Sequence, residues 1–267
     1  MKRLQWMLAV SILILLSRAS SLRASVTCSV SDYKGTYAYF SVGALLQLPP
    51  QGAALIGPFA QAGTLTSDGQ GNLQLTTTAS YNGIVLPGNT TATYTVTPEC
   101  AITFNVFLPD PLNVTAIFTG MISHNVRQVS LMIVNPQGSV LPAQQNKQDM
   151  RFCGLSDFSG AYQIDLGGSV VSPKAQAGLF HRIGRLVSDG NGSFTATSTA
   201  DYNGGVVQED FQGTYTVNSD CFVSLSYTDA RGNPGSIVGP LSGYGEEASV
   251  IVAVQGWSVA GKLRAQQ

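Results

Sequence analysis

The chain is an internal duplication, and this repeat limits the fold more than any other feature of its 267 residues. Shifted by 121 positions, residues 59–83 overlay residues 180–204 without a gap, and 13 of these 25 residues are identical. The same shift places Cys100 on Cys221, and a shift of 125 places Cys28 on Cys153. Such self-similarity indicates two copies of one module, each of roughly 120 residues.

The first 24 residues have the composition of an export signal. Lys2 and Arg3 precede an uncharged run over residues 6–16, and the segments 17–19 and 22–24 both fit a small-residue cleavage site. The run is too short to span a bilayer, which needs about 20 residues. We therefore expect a signal peptide at 1–24, a first module at 25–146 and a second at 147–267, in a protein secreted to the periplasm or the extracellular space.

The charge of the chain without residues 1–24 limits its partners. Their removal takes four of the 14 basic residues and none of the 15 acidic ones, which leaves a formal net charge of −5. Nucleic acids and anionic membranes bind clusters of Lys and Arg, and the sequence has no such run. We expect no nucleic-acid partner and no stable membrane insertion after signal cleavage, and the sequence leaves the oligomeric state open.

The four cysteines are expected to form disulfides, because an exported protein meets an oxidising environment. Four cysteines allow three connectivities. If each copy folds alone, the pairs are Cys28–Cys100 and Cys153–Cys221, and each bridge contributes about 4 kcal/mol in the chain-entropy model. Bridges that cross between the copies are the alternative.

The pattern of the remaining sequence is that of an all-β protein. In the first copy we predict strands at 35–42, 62–67, 72–80, 90–97, 101–108, 114–122 and 128–134, with a short closing piece near Ser139. Asp-Gly and Asn-Gly pairs at 68–69 and 82–83 recur at 189–190 and 203–204 and are typical of tight hairpins. Strands joined by hairpins form a meander, which usually closes into a barrel. The prediction is two tandem meander β-barrels, with β-sandwiches as the alternative.

Tyrosines occupy several predicted inward positions. Alternation along the strands puts five of them on the inner face, where a buried phenol needs a hydrogen-bond partner. These five are the candidate ligand-binding residues: Tyr37, Tyr39, Tyr94, Tyr162 and Tyr215. Two interpretations stay open, namely that they line a ligand cavity or that they fill a small barrel.

Two further segments carry structural expectations. Residues 131–134 and 250–254 are apolar on both faces, so we predict that these strands lie where the two modules pack together. The apolar connection 44–56 is four residues longer than its counterpart in the second copy. It is either a lid on the barrel or an irregular edge strand.

The sequence predicts no metal, cofactor or catalytic residue. The loops at 68–72 and 189–193 each contain a single carboxylate, whereas calcium needs six to eight oxygens. The only two histidines, His124 and His181, occupy non-equivalent positions. The acidic neighbours at 209–210 and 246–247 occur only in the second copy, and we expect them to be solvated.

The shared motifs resemble known proteins. Each copy opens with Cys and Ser-Asp-aromatic-x-Gly-x-Tyr, and ends with Thr-Tyr-Thr-Val before the second Cys. This skeleton resembles a group of uncharacterised exported bacterial proteins, which implies no activity. Gly-x-Tyr at 35–37 and 160–162 is similar to the Gly-x-Trp of calycins, the lipocalin and avidin type of barrel, in which a basic residue packs on the aromatic ring. Lys147 and Arg264 would be those residues here.

The resemblances define the functional alternatives. The sequence favours a non-enzymatic structural or binding role. The calycin resemblance implies a carrier of a small apolar ligand. A resemblance in fold to allene oxide cyclase-like or dirigent-like barrels implies an isomerase or cyclase, although none of their catalytic residues can be matched here.

Overall fold

In a computed structural model, the described residues 27–48, 50–108, 113–123, 125–149, 152–229 and 232–266 form two antiparallel β-barrels. The predicted signal peptide and His124 lie outside these residues. The predicted tandem barrels are confirmed, and the described residues contain short 3-10 helices but no α-helix. The 3-10 helices are Val30–Asp32, Pro50–Leu55, Leu155–Asp157, Lys174–Gln176 and Gly243–Gly245.

Barrel 1 consists of eight strands with one short accessory pairing. Its strands are β1 (Lys34–Leu45), β2 (Gly57–Asp68), β3 (Asn72–Tyr81), β4 (Ile84–Val96), β5 (Ala101–Leu108), β6 (Val114–Ile122), β7 (Gln128–Asn135), β8 (Ser139–Val140) and β9 (Pro142–Lys147). Strand β1 pairs with β2 on one side and with β9 on the other, which closes the sheet. The piece near Ser139 is only the accessory β8, and the polar segment β9 closes the barrel instead.

Barrel 2 repeats this meander without the accessory strand. Its strands are β10 (Ser159–Val170), β11 (Gly178–Asp189), β12 (Ser193–Tyr202), β13 (Gly205–Val217), β14 (Phe222–Thr228), β15 (Pro234–Ser242), β16 (Glu247–Val252) and β17 (Trp257–Ala265). Each strand pairs with the next, and β17 returns to β10. Closure leaves no free edge in the sheet.

One end of each barrel is closed by an aromatic residue, which we call the plug. The plug of barrel 1 is Tyr33, whose ring stacks on Tyr37 with the ring centres 4.4 Å apart. The plug of barrel 2 is Phe158, which stacks on Tyr162 at the same distance. Both plugs are fully buried. The opposite end of each barrel is called its mouth.

A disulfide anchors the chain at each plug. Cys28 is bonded to Cys100, and Cys153 is bonded to Cys221, as predicted for bridges within each copy. The bridges link the segment that carries each plug to the turn between the fourth and fifth strands of its barrel. The plug is therefore covalently held over the end of the barrel that it closes.

The barrels pack side by side through β1 and β2 of barrel 1 and β15–β17 of barrel 2. Small apolar side chains form the centre of this contact, and they are Ala60, Ala62, Ile251 and Ala260. The prediction that residues 250–254 lie at the interface is therefore correct for Ile251. The prediction for residues 131–134 is wrong, because Met132 on β7 is 58% exposed.

Candidate functional site

The tyrosines of barrel 1 predicted to bind a ligand have different roles. Tyr37 and Tyr94 pack around the plug, and their hydroxyls donate to the carbonyl oxygens of Val126, at 3.2 Å, and Val30, at 3.0 Å. Burial raises the pKa of Tyr37 well above its usual value. These two phenols are satisfied by the backbone and fill the barrel end, and neither of them lines the cavities described below.

The tyrosines of barrel 2 repeat this arrangement. Tyr162 donates to the carbonyl oxygen of Gly245 at 2.9 Å, and Tyr215 donates to that of Leu155 at 3.1 Å. Burial raises the pKa of Tyr162 to about 12. Four of the five candidate tyrosines thus belong to the two plug clusters.

Tyr39 is the remaining candidate, and it lines a cavity inside barrel 1. This inner cavity has a volume of about 90 Å³ and is mainly apolar, with Phe104, Leu131 and Ile133 in its wall. Gln145 adds an amide to the wall, and its Oε1 accepts a hydrogen bond from Tyr33 at 2.6 Å. The space suits a ligand of only a few atoms.

The long connection between β1 and β2 covers the mouth of barrel 1. Leu45 and Leu48 line the inner cavity, and Leu55, at the end of the 3-10 helix, is buried. Of the two structures expected for residues 44–56, the covering lid is the one that the described part of this segment adopts.

The larger barrel cavity lies at the mouth of barrel 2 and has a volume of about 290 Å³. The loops β10–β11, β14–β15 and β16–β17 contribute residues to it, together with inward side chains from the ends of the strands. We call it the mouth cavity. The lining residues that matter below are Arg182, Tyr202, Tyr227, Asp229, Gln255 and Trp257.

A buried ion pair lies beneath this cavity. Arg182 on β11 and Glu209 on β13 point into barrel 2, where their side chains are only 3% and 5% exposed. Arg182 Nη2 donates to Glu209 Oε2, and the hydroxyl of Tyr202 donates to Glu209 Oε1 at 3.1 Å. Although burial acts to lower the pKa of Arg182, Tyr227 and Glu209 raise it above its usual value, so the guanidinium stays charged.

Aromatic rings enclose the guanidinium of Arg182. Its central carbon lies 5.5 Å from the ring centre of Phe180 and 5.2 Å from that of Phe211. Tyr227 packs against Phe211, and Trp257 packs edge-on against Phe180 at 5.0 Å. Cation–π contacts and the ion pair together fix the position of the charge inside the barrel.

The placement of Tyr227 depends on a glycine opposite it in the sheet. Gly235 on β15 pairs with Tyr227 on β14, and a Cβ atom on Gly235 would lie 2.1 Å from the Tyr227 ring. The phenol therefore lies directly over the backbone of the neighbouring strand. Only glycine allows this approach.

The two barrels differ at the positions of the ion pair. At the shift of 121, Gln61 corresponds to Arg182 and Gly88 corresponds to Glu209. Gln61 lines the inner cavity of barrel 1, but no charge lies beside it at the second position. The two barrels share their strand order, but only barrel 2 has a charged pair at these two positions.

The expectation that the acidic neighbours are solvated is wrong for one residue of each pair. Glu209 is buried while Asp210 is exposed, because successive side chains of a strand point to opposite faces. Glu247 is 19% exposed and binds Lys262 at 2.7 Å and Arg264 at 3.1 Å. The same alternation excludes a catalytic pair made of Glu209 and Asp210.

The basic residues that the calycin resemblance selected behave differently in the two barrels. The Lys147 ammonium lies 5.9 Å from the ring centre of Tyr37, as that resemblance implies. Arg264 instead binds Glu247 at the barrel interface. The packing of a basic residue on the first-strand aromatic is therefore seen in barrel 1.

The loops at 68–72 and 189–193 are turns stabilised by their single aspartate. Asp68 Oδ1 accepts from the amides of Gln70 and Asn72, and Asp189 Oδ1 accepts from those of Asn191 and Ser193. The side-chain hydrogen bond from Asn72 and those from the backbone amides lower the pKa of Asp68, and the backbone hydrogen bonds lower the pKa of Asp189. Within the part of the chain that the structure describes, no three His, Cys, Asp or Glu side chains are grouped so as to hold a metal ion.

The sequence matches no protein-family model, and no curated protein is significantly similar to it. The described residues contain no helix with the length and apolar character that crossing a membrane requires. The functional conclusion therefore depends on the geometry of the barrels.

Proposed function

We propose that this protein is a non-enzymatic, extracytoplasmic binding protein whose second barrel takes a small molecule into the mouth cavity. The observation that carries the proposal is that cavity, which lies over a buried and fully packed ion pair. Its volume of about 290 Å³ is just below the range for ligand sites, roughly 300–1,000 Å³, so it suits a small molecule. In this proposal barrel 1 supports barrel 2.

Two features support an extracytoplasmic location. The two disulfides indicate an oxidising environment, since such bonds are rare in reducing compartments. The sequence of residues 1–24 has the features of a signal peptide.

The mouth cavity has the preorganisation that small-molecule binding requires. Arg182 is held by Glu209 and two phenylalanines, and Tyr227 packs against Phe211 and over the backbone of Gly235. Side chains that are already fixed lose little conformational entropy when a ligand binds. A site of this kind binds without a large rearrangement.

A carrier of a small apolar ligand, the role implied by the calycin resemblance, would use barrel 1. The inner cavity has the apolar wall that this role needs, with Tyr39 in it. Its volume of about 90 Å³ is well below the range of typical ligand sites, roughly 300–1,000 Å³. This role therefore comes second.

An isomerase or cyclase would need a carboxyl group able to move a proton. Glu209 is the buried acid nearest the mouth cavity, but both of its oxygens accept hydrogen bonds, from Arg182 and Tyr202. A general base must lie within hydrogen-bonding reach of the substrate proton. Because Arg182 and Tyr202 already occupy both oxygens of Glu209, we assign this carboxylate a structural role.

Native mass spectrometry of the protein purified from its own source tests the proposal. We expect a retained small molecule that is lost in Val254→Trp, where the larger side chain fills the mouth cavity, and kept in Val114→Trp, where it fills the inner cavity. The opposite pattern would assign the ligand to barrel 1. Absence of any retained molecule from the source protein would favour a purely structural role.

A further inference from the structure

We propose that the ligand of the mouth cavity is an uncharged, planar ring compound that carries a carbonyl oxygen. This inference rests on the proposed binding function and specifies the class of compound. It follows from the balance of charge around the cavity, from one hydroxyl donor in its wall and from the arrangement of its aromatic rings.

The charge balance argues against an anionic ligand. Arg182 is the only cationic side chain among the described residues that line the mouth cavity, and Glu209 already neutralises it. Asp229, also in the lining, adds a negative charge. A bound carboxylate would share one guanidinium with Glu209 and leave a net negative charge in a poorly solvated space, which is costly.

The same arrangement argues against a cationic ligand. The Arg182 guanidinium stays charged, and a second cation in the cavity would lie next to it. Asp229 keeps its charge and offsets part of this repulsion. Its two carboxylate oxygens already accept hydrogen bonds from the backbone amide and the side chain of Asn233, at 2.7 Å and 3.0 Å, so a cation that bound Asp229 would compete with Asn233. The loop β14–β15 thus already uses this carboxylate.

Tyr227 supplies the hydrogen-bond donor that selects a carbonyl group. Tyr227 and Arg182 line the same cavity, and a guanidinium can only donate, so towards Arg182 the phenol oxygen acts as an acceptor. A hydroxyl that accepts in this way keeps its own proton for another acceptor. Burial raises the pKa of Tyr227 although Arg182 acts to lower it, so the hydroxyl stays protonated at neutral pH.

Arg182 has further unused donor capacity. Its Nε atom is buried and makes no hydrogen bond to any described residue. An unsatisfied buried donor costs about 1–3 kcal/mol. Arg182 therefore has one donor more than its protein neighbours use, which argues against a ligand that brings only further donors to this cavity.

The walls of the cavity favour a flat ring. Trp257 and Tyr202 stand nearly perpendicular, with ring centres 6.2 Å apart and an angle of 89°. Pro173, Pro234, Val252 and Val254 add to the apolar part of the wall. Aromatic rings prefer offset or edge-to-face contacts, and two perpendicular walls offer both to a planar ligand.

Tryptophan fluorescence provides a direct test. The sequence contains two tryptophans, Trp6 and Trp257, so the full chain carrying Trp6→Phe reports only on the mouth cavity. Three probes with the same ring are titrated at pH 7: neutral benzamide, anionic benzoate and cationic benzylammonium. We expect saturable quenching by benzamide, with a Kd at least roughly tenfold lower than for either ion.

A hydroxyl variant tests the proposed donor. Tyr227→Phe keeps the ring and should weaken benzamide binding roughly tenfold. Tyr244→Phe, at a position that is 72% exposed, is the control and should change nothing. Unchanged benzamide affinity in Tyr227→Phe, with the control also unchanged, would overturn the carbonyl assignment.

The outcomes separate this inference from the proposed function. Tighter binding of benzoate or benzylammonium would refute the neutral ligand class and leave the binding function standing. Failure of all three probes to quench Trp257 saturably would refute the ligand class, and the retained molecule sought by mass spectrometry would then decide the binding function independently.

Discussion

The buried pair of Arg182 and Glu209 leads to a quantitative prediction about the stability of barrel 2. Both side chains are at most 5% exposed, so removing one partner leaves the other as an uncompensated buried charge. Such a loss costs about 3–5 kcal/mol. We expect Glu209→Gln and Arg182→Met each to lower the free energy of unfolding by this amount.

The double variant Arg182→Met with Glu209→Leu should behave differently. It removes both charges and replaces them with apolar side chains, and such replacements are often neutral or stabilising by about 1–4 kcal/mol. We therefore expect the double variant to be more stable than either single variant. With the single variant Glu209→Leu added, the starting protein, Arg182→Met, Glu209→Leu and the double variant form a double-mutant cycle whose coupling energy measures the pair.

Urea denaturation followed by Trp257 fluorescence, in the Trp6→Phe chain, is the suitable assay because Trp257 lies in barrel 2. Arg185→Met is the matched control, since Arg185 lies on the same strand with an exposed side chain. It should cost less than about 1 kcal/mol. If Glu209→Gln lowers the free energy of unfolding by no more than this control does, the claim that Glu209 compensates a buried charge on Arg182 is refuted.

Three further predictions concern the same framework. Loss of the barrel 2 disulfide should lower the free energy of unfolding by about 4 kcal/mol, measured by urea denaturation. A decrease below about 1 kcal/mol would contradict the anchoring of the plug segment by this bridge. Gly235→Ala should displace Tyr227, cost about 1–3 kcal/mol and abolish quenching by benzamide, whereas Gly154→Ala, with open space around it, should do neither. Because the pKa of Tyr162 is raised to about 12, only the unfolded chain ionises this phenol between pH 10 and about pH 12. The stability that it contributes is therefore complete below pH 10 and is lost across that interval. A free energy of unfolding that stays constant from pH 10 to 12 would contradict the burial of Tyr162.

Most of the strand order of the two barrels could be predicted because it depends on local sequence patterns. The turns at Asp68-Gly69 and Asn82-Gly83 fix the hairpins, and alternation gives the inward side chains. The repeat of the cysteines gives the correct disulfides. The closing strand Pro142–Lys147 was not predicted, since its polar sequence lacks β-forming residues and only pairing with β1 and β7 holds it.

The candidate site was harder to predict because its signal is a single departure from the pattern. Arg182 is two residues from Phe180 on β11, so the same alternation puts it on the inner face, and this charged residue at an inward position was the available sign. Its partner Glu209 is distant in sequence, and only closure of the barrel brings the two together. The inward tyrosines were a stronger signal, but four of them serve the plugs.

The contact between the two mouths limits how far the protein can be divided. Gln255 lines the mouth cavity of barrel 2, and its side-chain amide makes two hydrogen bonds with the backbone of Val85 in barrel 1, at 3.1 Å and 3.3 Å. One wall of the cavity is thus held by the other repeat. Although each repeat has its own core and disulfide, the smallest unit with a complete site is the pair.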